Sequence, residues 1–205
     1  MFNGKFHLSA GRSDLIKTIK FKQMKALLII LLFVSTTLVA QQRFITKTGS
    51  VNFEASVPSF EEVAAKNNSA TAILDIQNGE FATLILVKGF RFKNALMEEH
   101  FNENYAESSK FPKASFKGKI DDFDIAQLSE AKNNFKINGE LTFHGITKNV
   151  SNIVLTIIKK TETTISLTGN FKVSPSDYNI DIPSIVKNKI SNDVVVTFSF
   201  ELQKQ

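Results

Sequence analysis

From residue 42 onward, run after run of the chain alternates apolar and polar side chains with a period of two, and few folds are compatible with that. A β-strand turns successive side chains to opposite faces, so each such run reads as a strand with one face buried. Between Val194 and Leu202 the apolar series is Val194, Val196, Phe198, Phe200 and Leu202, and mostly polar residues fill the gaps. Phe135 to Phe143 sets Phe135, Ile137, Leu141 and Phe143 against Lys136, Asn138, Glu140 and Thr142. Ile165 to Val173 and Val51 to Val57 behave alike, and further strands are expected near 43–48, 70–77, 81–92, 114–123 and 150–159. About nine strands with little helix between them make an all-β chain. A sheet of this size closes or folds over to remove its edges.

Short helical insertions interrupt the pattern. Asn94 is placed to cap a helix running to about Tyr105, with Met97, Phe101 and Tyr105 on one stripe beside Leu96. That stripe either packs on the sheet or forms a lid. Pro183 and Ser184 are expected to start one or two turns carrying Ile185, Val186 and Ile190, and Glu61 to Lys66 a single turn.

Three strands place a glycine on their apolar face: Phe116-x-Gly118-x-Ile120, Ile137-x-Gly139-x-Leu141 and Leu167-x-Gly169-x-Phe171. Glycine weakens a strand, so its recurrence on the buried side has a cause. Either these are bends at barrel corners, or the missing side chains leave an elongated cavity; the two are compatible. Ile153 to Ile158 is apolar on both faces, so its outer face is covered either by a helix or by the partner in a homodimer.

Residues 1–40 stand apart. Ala26 to Val34 reads ALLIILLFV, Lys25 precedes it, and Ala40 is a small residue where a signal peptidase would cut. The run to Ala40 is shorter than the roughly 20 residues of a membrane-spanning helix. A signal peptide over about 24–40 is therefore expected, with translation starting at Met24, residues 1–23 a mis-assigned start, and one domain over 41–205. Cleavage leaves no membrane anchor and a periplasmic or secreted protein. Six of the 25 Lys/Arg and one of the 20 Asp/Glu lie in residues 1–40, so the remainder carries 19 of each sign. The basic character belongs to the leader, and no basic block is available for nucleic acid. With no cysteine in the chain, a lipoprotein anchor, disulfides, thiol catalysis and Cys-ligated metal are excluded.

Fifteen of the 19 phenylalanines lie beyond residue 40, with no tryptophan and only Tyr105 and Tyr178. Phenylalanine supplies apolar area without a polar handle, which suits an apolar ligand better than a sugar or nucleotide. Reactive groups are sparse. His144 is expected as a turn residue and His100 at the edge of the helix stripe. Glu99, His100 and Glu103, or Asp121, Asp122 and Asp124, match solvated surfaces as well as metal ligands, and no G-x-S-x-G nucleophile elbow occurs. Neither an enzyme, a cofactor nor a bound metal is expected.

Four blocks carry a recognisable pattern: GSVNFEAS from Gly49 to Ser56, LMEEHFNENYAESSKFPKASFKG from Leu96 to Gly118, NGELTFHGITKNV from Asn138 to Val150, and DYNIDIPSIV from Asp177 to Val186. In order and spacing they resemble the YceI-like family, apart from Asn149, where many members have proline. The resemblance implies an antiparallel, eight-stranded, lipocalin-like β-barrel with one or two short helical insertions, exported to the periplasm. It also implies a polyisoprenoid ligand, such as a prenyl quinone or prenyl alcohol, threaded through the barrel. It brings no catalytic residues, and the family's contacts are apolar positions without a strict motif. Strand phase then selects the expected ligand contacts: Phe53, Leu84, Leu86, Phe90, Phe101, Phe116, Gly118, Ile137, Gly139, Leu141, Phe143, Leu167, Gly169, Phe171, Val196, Phe198 and Phe200. The alternative is a structural or protein-interaction barrel of the cell envelope that carries no ligand.

Overall fold

A computed structural model describes residues 42–58 and 60–205; the expected signal peptide and start at Met24 lie outside the described residues. The strands are β1 (Arg43–Ser56), β2 (Ala64–Asp75), β3 (Glu80–Leu86), a two-residue β4 (Arg91–Phe92), β5 (Lys113–Ile120), β6 (Asn133–Phe143), β7 (Ile146–Thr161), β8 (Thr164–Val173) and β9 (Ile190–Lys204). Hydrogen bonding runs in the order β1-β9-β8-β7-β6-β5-β3-β2, and β2 pairs back onto β1, all antiparallel. Eight strands thus close a barrel. β4 pairs with the start of β2, at Ala65 and Lys66, and so prolongs the line of β3.

The expected strands at 43–48 and 51–57 are one strand. Phe44 and Thr46 face inward, then Gly49, Val51 and Ala55, so the buried phase slips from even to odd positions across Lys47-Thr48. The pairing with β2 is irregular on both sides of Gly49, as a β-bulge requires. β2 slips in register with it, from Ala65 and Asn67 to Ala70, Ala72 and Leu74. Asn67 is fully buried there. Its amide donates to the Leu86 carbonyl (3.0 Å) and accepts from the Ser69 amide (2.9 Å) and hydroxyl (2.8 Å). A second bulge, in β7, places Asn152 in the left-handed region (φ 58°), with its amide donating to Asn138 Oδ1 at 2.7 Å.

The expected helix at Asn94 is present as α1 (Ala95–His100). The Asn94 side chain caps it, accepting from the amides of Leu96 (2.9 Å) and Met97 (3.4 Å), and a wider turn continues it through Phe101–Tyr105. The other two helical expectations fail. Ala64 to Lys66 extend β2, because β1 is long enough to pair with them at Phe53↔Ala65 and Asn52↔Lys66. Ser184 to Lys189 are consecutive turns, and Ile190 is recruited into β9, opposite Ser56. Among the described residues no helix covers the outer face of β7, where Val154 stands exposed.

Candidate functional site

The barrel is filled at one end and hollow at the other. Phe44, Leu74, Ile120, Ile157, Ile165, Leu167 and Leu202 are almost completely buried and meet near the ends of β1 and β9 that also carry Arg43 and Lys204. Toward the opposite end lies a cavity of about 470 Å³, within the range of small-molecule sites. Its mouth is built from the β1–β2 connection (Phe60, Glu61 and Val63), from Met97, His100 and Tyr105 of the helical insertion, and from the long β8–β9 connection.

Phenylalanine rings shape the wall. Phe53, Phe90, Phe92 and Phe101 form one cluster with centroid separations of 5.2 Å for Phe53–Phe90 and 5.3 Å for both Phe53–Phe101 and Phe92–Phe101. Because Phe101 is locked into this cluster, the stripe on the insertion packs against the sheet, while Met97 and Tyr105 face the cavity. Phe81, Phe200 and Phe198 form a second chain of rings across the floor, spaced 5.6 and 5.7 Å apart.

Strand phase brings together most of the expected contacts. Phe53, Phe90, Phe101, Phe116, Ile137, Leu141, Phe143, Phe171, Val196, Phe198 and Phe200 all line the cavity. Leu84 and Leu86 do not: they lie on the outer face, 40% and 55% exposed, while Phe81, Thr83 and Ile85 point inward. Phe81 to Val87 is apolar at nearly every position, so alternation there has no unique phase, and the inward series contains Thr83, whose hydroxyl donates to the Thr71 carbonyl at 2.9 Å. Phe90 returns to the interior because the single 3-10 turn Val87–Gly89 resets the phase. Leu167 belongs to the filled end.

Gly118, Gly139 and Gly169 open no space into the cavity. Gly118 and Gly139 face each other across β5 and β6, and the Phe116 ring lies over both. The Phe198 ring covers Gly169, its cross-strand partner. A β-carbon at Gly118 would come within 2.5 Å of the Asn138 carbonyl oxygen, so the backbones themselves require glycine. Gly139 also flanks the register shift against β7, consistent with the corner-bend alternative.

The polar groups of the lining are few. Glu61, His100 and Lys189 are exposed at the rim. Tyr178 is buried; desolvation, and next the Asp177 carboxylate, push its hydroxyl up to about 12, so it is neutral and a donor. The expected contacts omit Tyr178, Val173, Pro175, Ile180 and Ile182, although Val173 ends the apolar face of β8 and Tyr178, Ile180 and Ile182 alternate with Asn179 and Asp181, a period-two signal that could have found them.

His144 faces away from the cavity and fastens the mouth. Its Nδ1 lies 2.8 Å from the Tyr178 carbonyl oxygen and its Nε2 2.8 Å from Glu107 Oε2, with the ring edge-on to Phe111 at 4.5 Å. Both partners, a backbone carbonyl and a carboxylate, are hydrogen-bond acceptors. Among the described residues no three His, Asp or Glu side chains are grouped to hold a metal ion. Asp121 instead accepts from the Asn138 amide, and Asp124 accepts from the Ala126 amide to start the 3-10 turn Ile125–Gln127. No helix among the described residues is long and apolar enough to cross a membrane.

The family model of the YceI-like domain matches residues 37–202. Among solved structures, a polyisoprenoid binding domain from Saccharophagus degradans implicated in plant cell wall breakdown superposes with a TM-score of 0.68 at 15% identity, covering 80% of this chain and 98% of that one. BcnA of Burkholderia cenocepacia gives 0.60 at 16% identity, covering 75% and 95%. The YceI protein of Campylobacter jejuni gives 0.52 at 19% identity, covering 67% and 80%. No curated protein matches by sequence.

Proposed function

The chain belongs to the YceI-like family, and from that premise we propose that it is a carrier or binding protein for a long apolar molecule, a polyisoprenoid such as a prenyl quinone or prenyl alcohol, held in the barrel interior. The observation that carries this reading is the cavity: about 470 Å³, walled by phenylalanine and aliphatic side chains, with its charged groups confined to the rim. Such a space left to water would waste the apolar burial that drives a barrel to fill, whereas an apolar chain matches it. The similar Saccharophagus degradans structure is a polyisoprenoid binding domain, which supports the ligand class.

Organic extraction and mass spectrometry of the protein purified from its own host test the proposal. A co-purifying chain lost on extraction, and a matching mass excess in the native spectrum, are expected. A ligand-free mass together with no uptake of prenyl compounds would favour the interaction barrel of the envelope instead. We infer a role outside the cytoplasm from the short apolar run that ends at Ala40. N-terminal sequencing of the exported protein is expected to begin at Gln41, and a start at Met1 or Met24 would overturn export by cleavage.

A further inference from the structure

Among the described residues of the cavity wall, Tyr178 carries a hydroxyl that reaches open space and has no protein partner. Tyr178 is 2% exposed and lines the cavity, and among the described residues its hydroxyl makes no hydrogen bond. The hydroxyl is not among the sealed, unpaired polar atoms of the described residues, so water in the cavity can serve it; an apolar chain that displaces that water leaves it unpaired, at a cost. The group is also held in place. The turn Pro175–Tyr178 is closed by the Asn179 amide on the Ser176 carbonyl (3.2 Å) and the Ile180 amide on the Pro175 carbonyl (3.1 Å), with Asn179 left-handed at φ 54°. His144 fixes the Tyr178 carbonyl, and the ring packs edge-on to Phe143 at 6.0 Å.

We propose that Tyr178 is the polar anchor of the cavity, its hydroxyl donating to an uncharged acceptor, a carbonyl oxygen such as that of a quinone or an ester, at the head of the apolar chain. This rests on the carrier reading and narrows its ligand class. The hydroxyl remains protonated at neutral pH, because burial and Asp177 hold it near 12, so it can donate and gains nothing from a cationic partner. A phosphate or carboxylate head would instead call for a buried cation, and the lysine that the described residues bring to the lining, Lys189, is exposed at the rim. A chain entering tail first would leave its head at the mouth, where the turn bearing Tyr178 sits.

The test uses Tyr178→Phe, which removes the hydroxyl and keeps the ring, in the full chain. Two probes of equal chain length are compared by competition against one fluorescent apolar reporter: a prenyl benzoquinone and the corresponding prenyl hydrocarbon without oxygen. Loss of one neutral hydrogen bond is expected to weaken the quinone about threefold to tenfold. The hydrocarbon is expected to bind the variant as well as or better than the unaltered protein, since it no longer strands a hydroxyl. Equal weakening of both probes, or no change for the quinone, would overturn the anchor. Uptake of the hydrocarbon but not the quinone by the unaltered protein would also overturn it, leaving the carrier reading standing. Uptake of neither would overturn the carrier reading itself, and the anchor with it.

Discussion

At Gly139 the cost of one extra carbon is set by rigid neighbours. A β-carbon there would collide with the Lys117 carbonyl oxygen and lie 2.6 Å from the Gly118 α-carbon, both backbone atoms of the paired strand. Alanine normally stabilises a strand relative to glycine by restricting the unfolded chain. Here overpacking dominates, and Gly139→Ala is expected to lower stability by about 1–3 kcal/mol in denaturant titration. If the variant is as stable as the parent, the Gly118–Gly139 contact is looser than the geometry indicates. That these glycines face inward was legible from the alternation alone. What fills the space above them was not, because the Phe116 and Phe198 rings lean over from neighbouring positions, and periodicity carries no rotamers. Tyr178 supplies a second test. Its folded value of about 12 exceeds the roughly 10 of a free tyrosine, so the fold favours the neutral form. Its contribution is complete below pH 10 and is lost as pH rises toward 12, by at most about 1.4 kcal/mol per pH unit. Tyr178→Phe is expected to flatten that part of the alkaline stability profile, measured as the difference between variant and parent. Parallel profiles would mean that the hydroxyl ionises freely.

Strands whose alternation is unbroken, such as β6, β8 and β9, could be read from the residues with their faces correctly assigned. Strands with a slip or no polar face could not. β1 reads as two strands because its bulge moves the buried phase by one residue, and β3 offers two equally apolar phases, of which the inward one carries a threonine. The irregular mouth segments were the least legible, since their order comes from side-chain hydrogen bonds across the fold. His144, in the β6–β7 turn, holds two of them: Glu107 after the helical insertion, and Tyr178 in the β8–β9 connection. His144→Ala removes both bonds and leaves the Tyr178 carbonyl unpaired, at an expected cost of about 1–3 kcal/mol. The loss should be local. Hydrogen exchange is expected to accelerate across 101–111 and 174–189 while the β-ladders at the filled end remain protected. Uniform acceleration through β7 and β8 would instead make His144 a determinant of the whole barrel.

Taken as a whole, the barrel separates its charge from its apolar surface. Residues 41–205 carry 19 positive and 19 negative side chains, and the ion pairs lie outside the cavity, as in Lys160–Glu201 and Arg91–Glu98. The interior is mostly phenylalanine and aliphatic carbon, with a few uncharged hydroxyls such as those of Thr83 and Tyr178, down to the filled end, which sets a floor to how far a chain can enter. Binding driven by this surface should follow area removed from water, at about 25 cal/mol per Å² before ordering costs. With the head group held constant, affinity is therefore expected to rise with each added isoprene unit until the chain reaches the plane of Leu167 and Phe44, and then to level off. Salt should matter little, because screening acts on exposed charges and none of the buried lining is charged. A titration series of prenyl compounds of increasing length, each at low and moderate ionic strength, separates the terms. A plateau reached with short chains would mean that the floor lies nearer the mouth than the packing indicates. A flat length dependence with a steep salt dependence would mean that rim charges such as Lys189 and Glu61 grip the head, and burial inside the barrel would then not be the source of affinity.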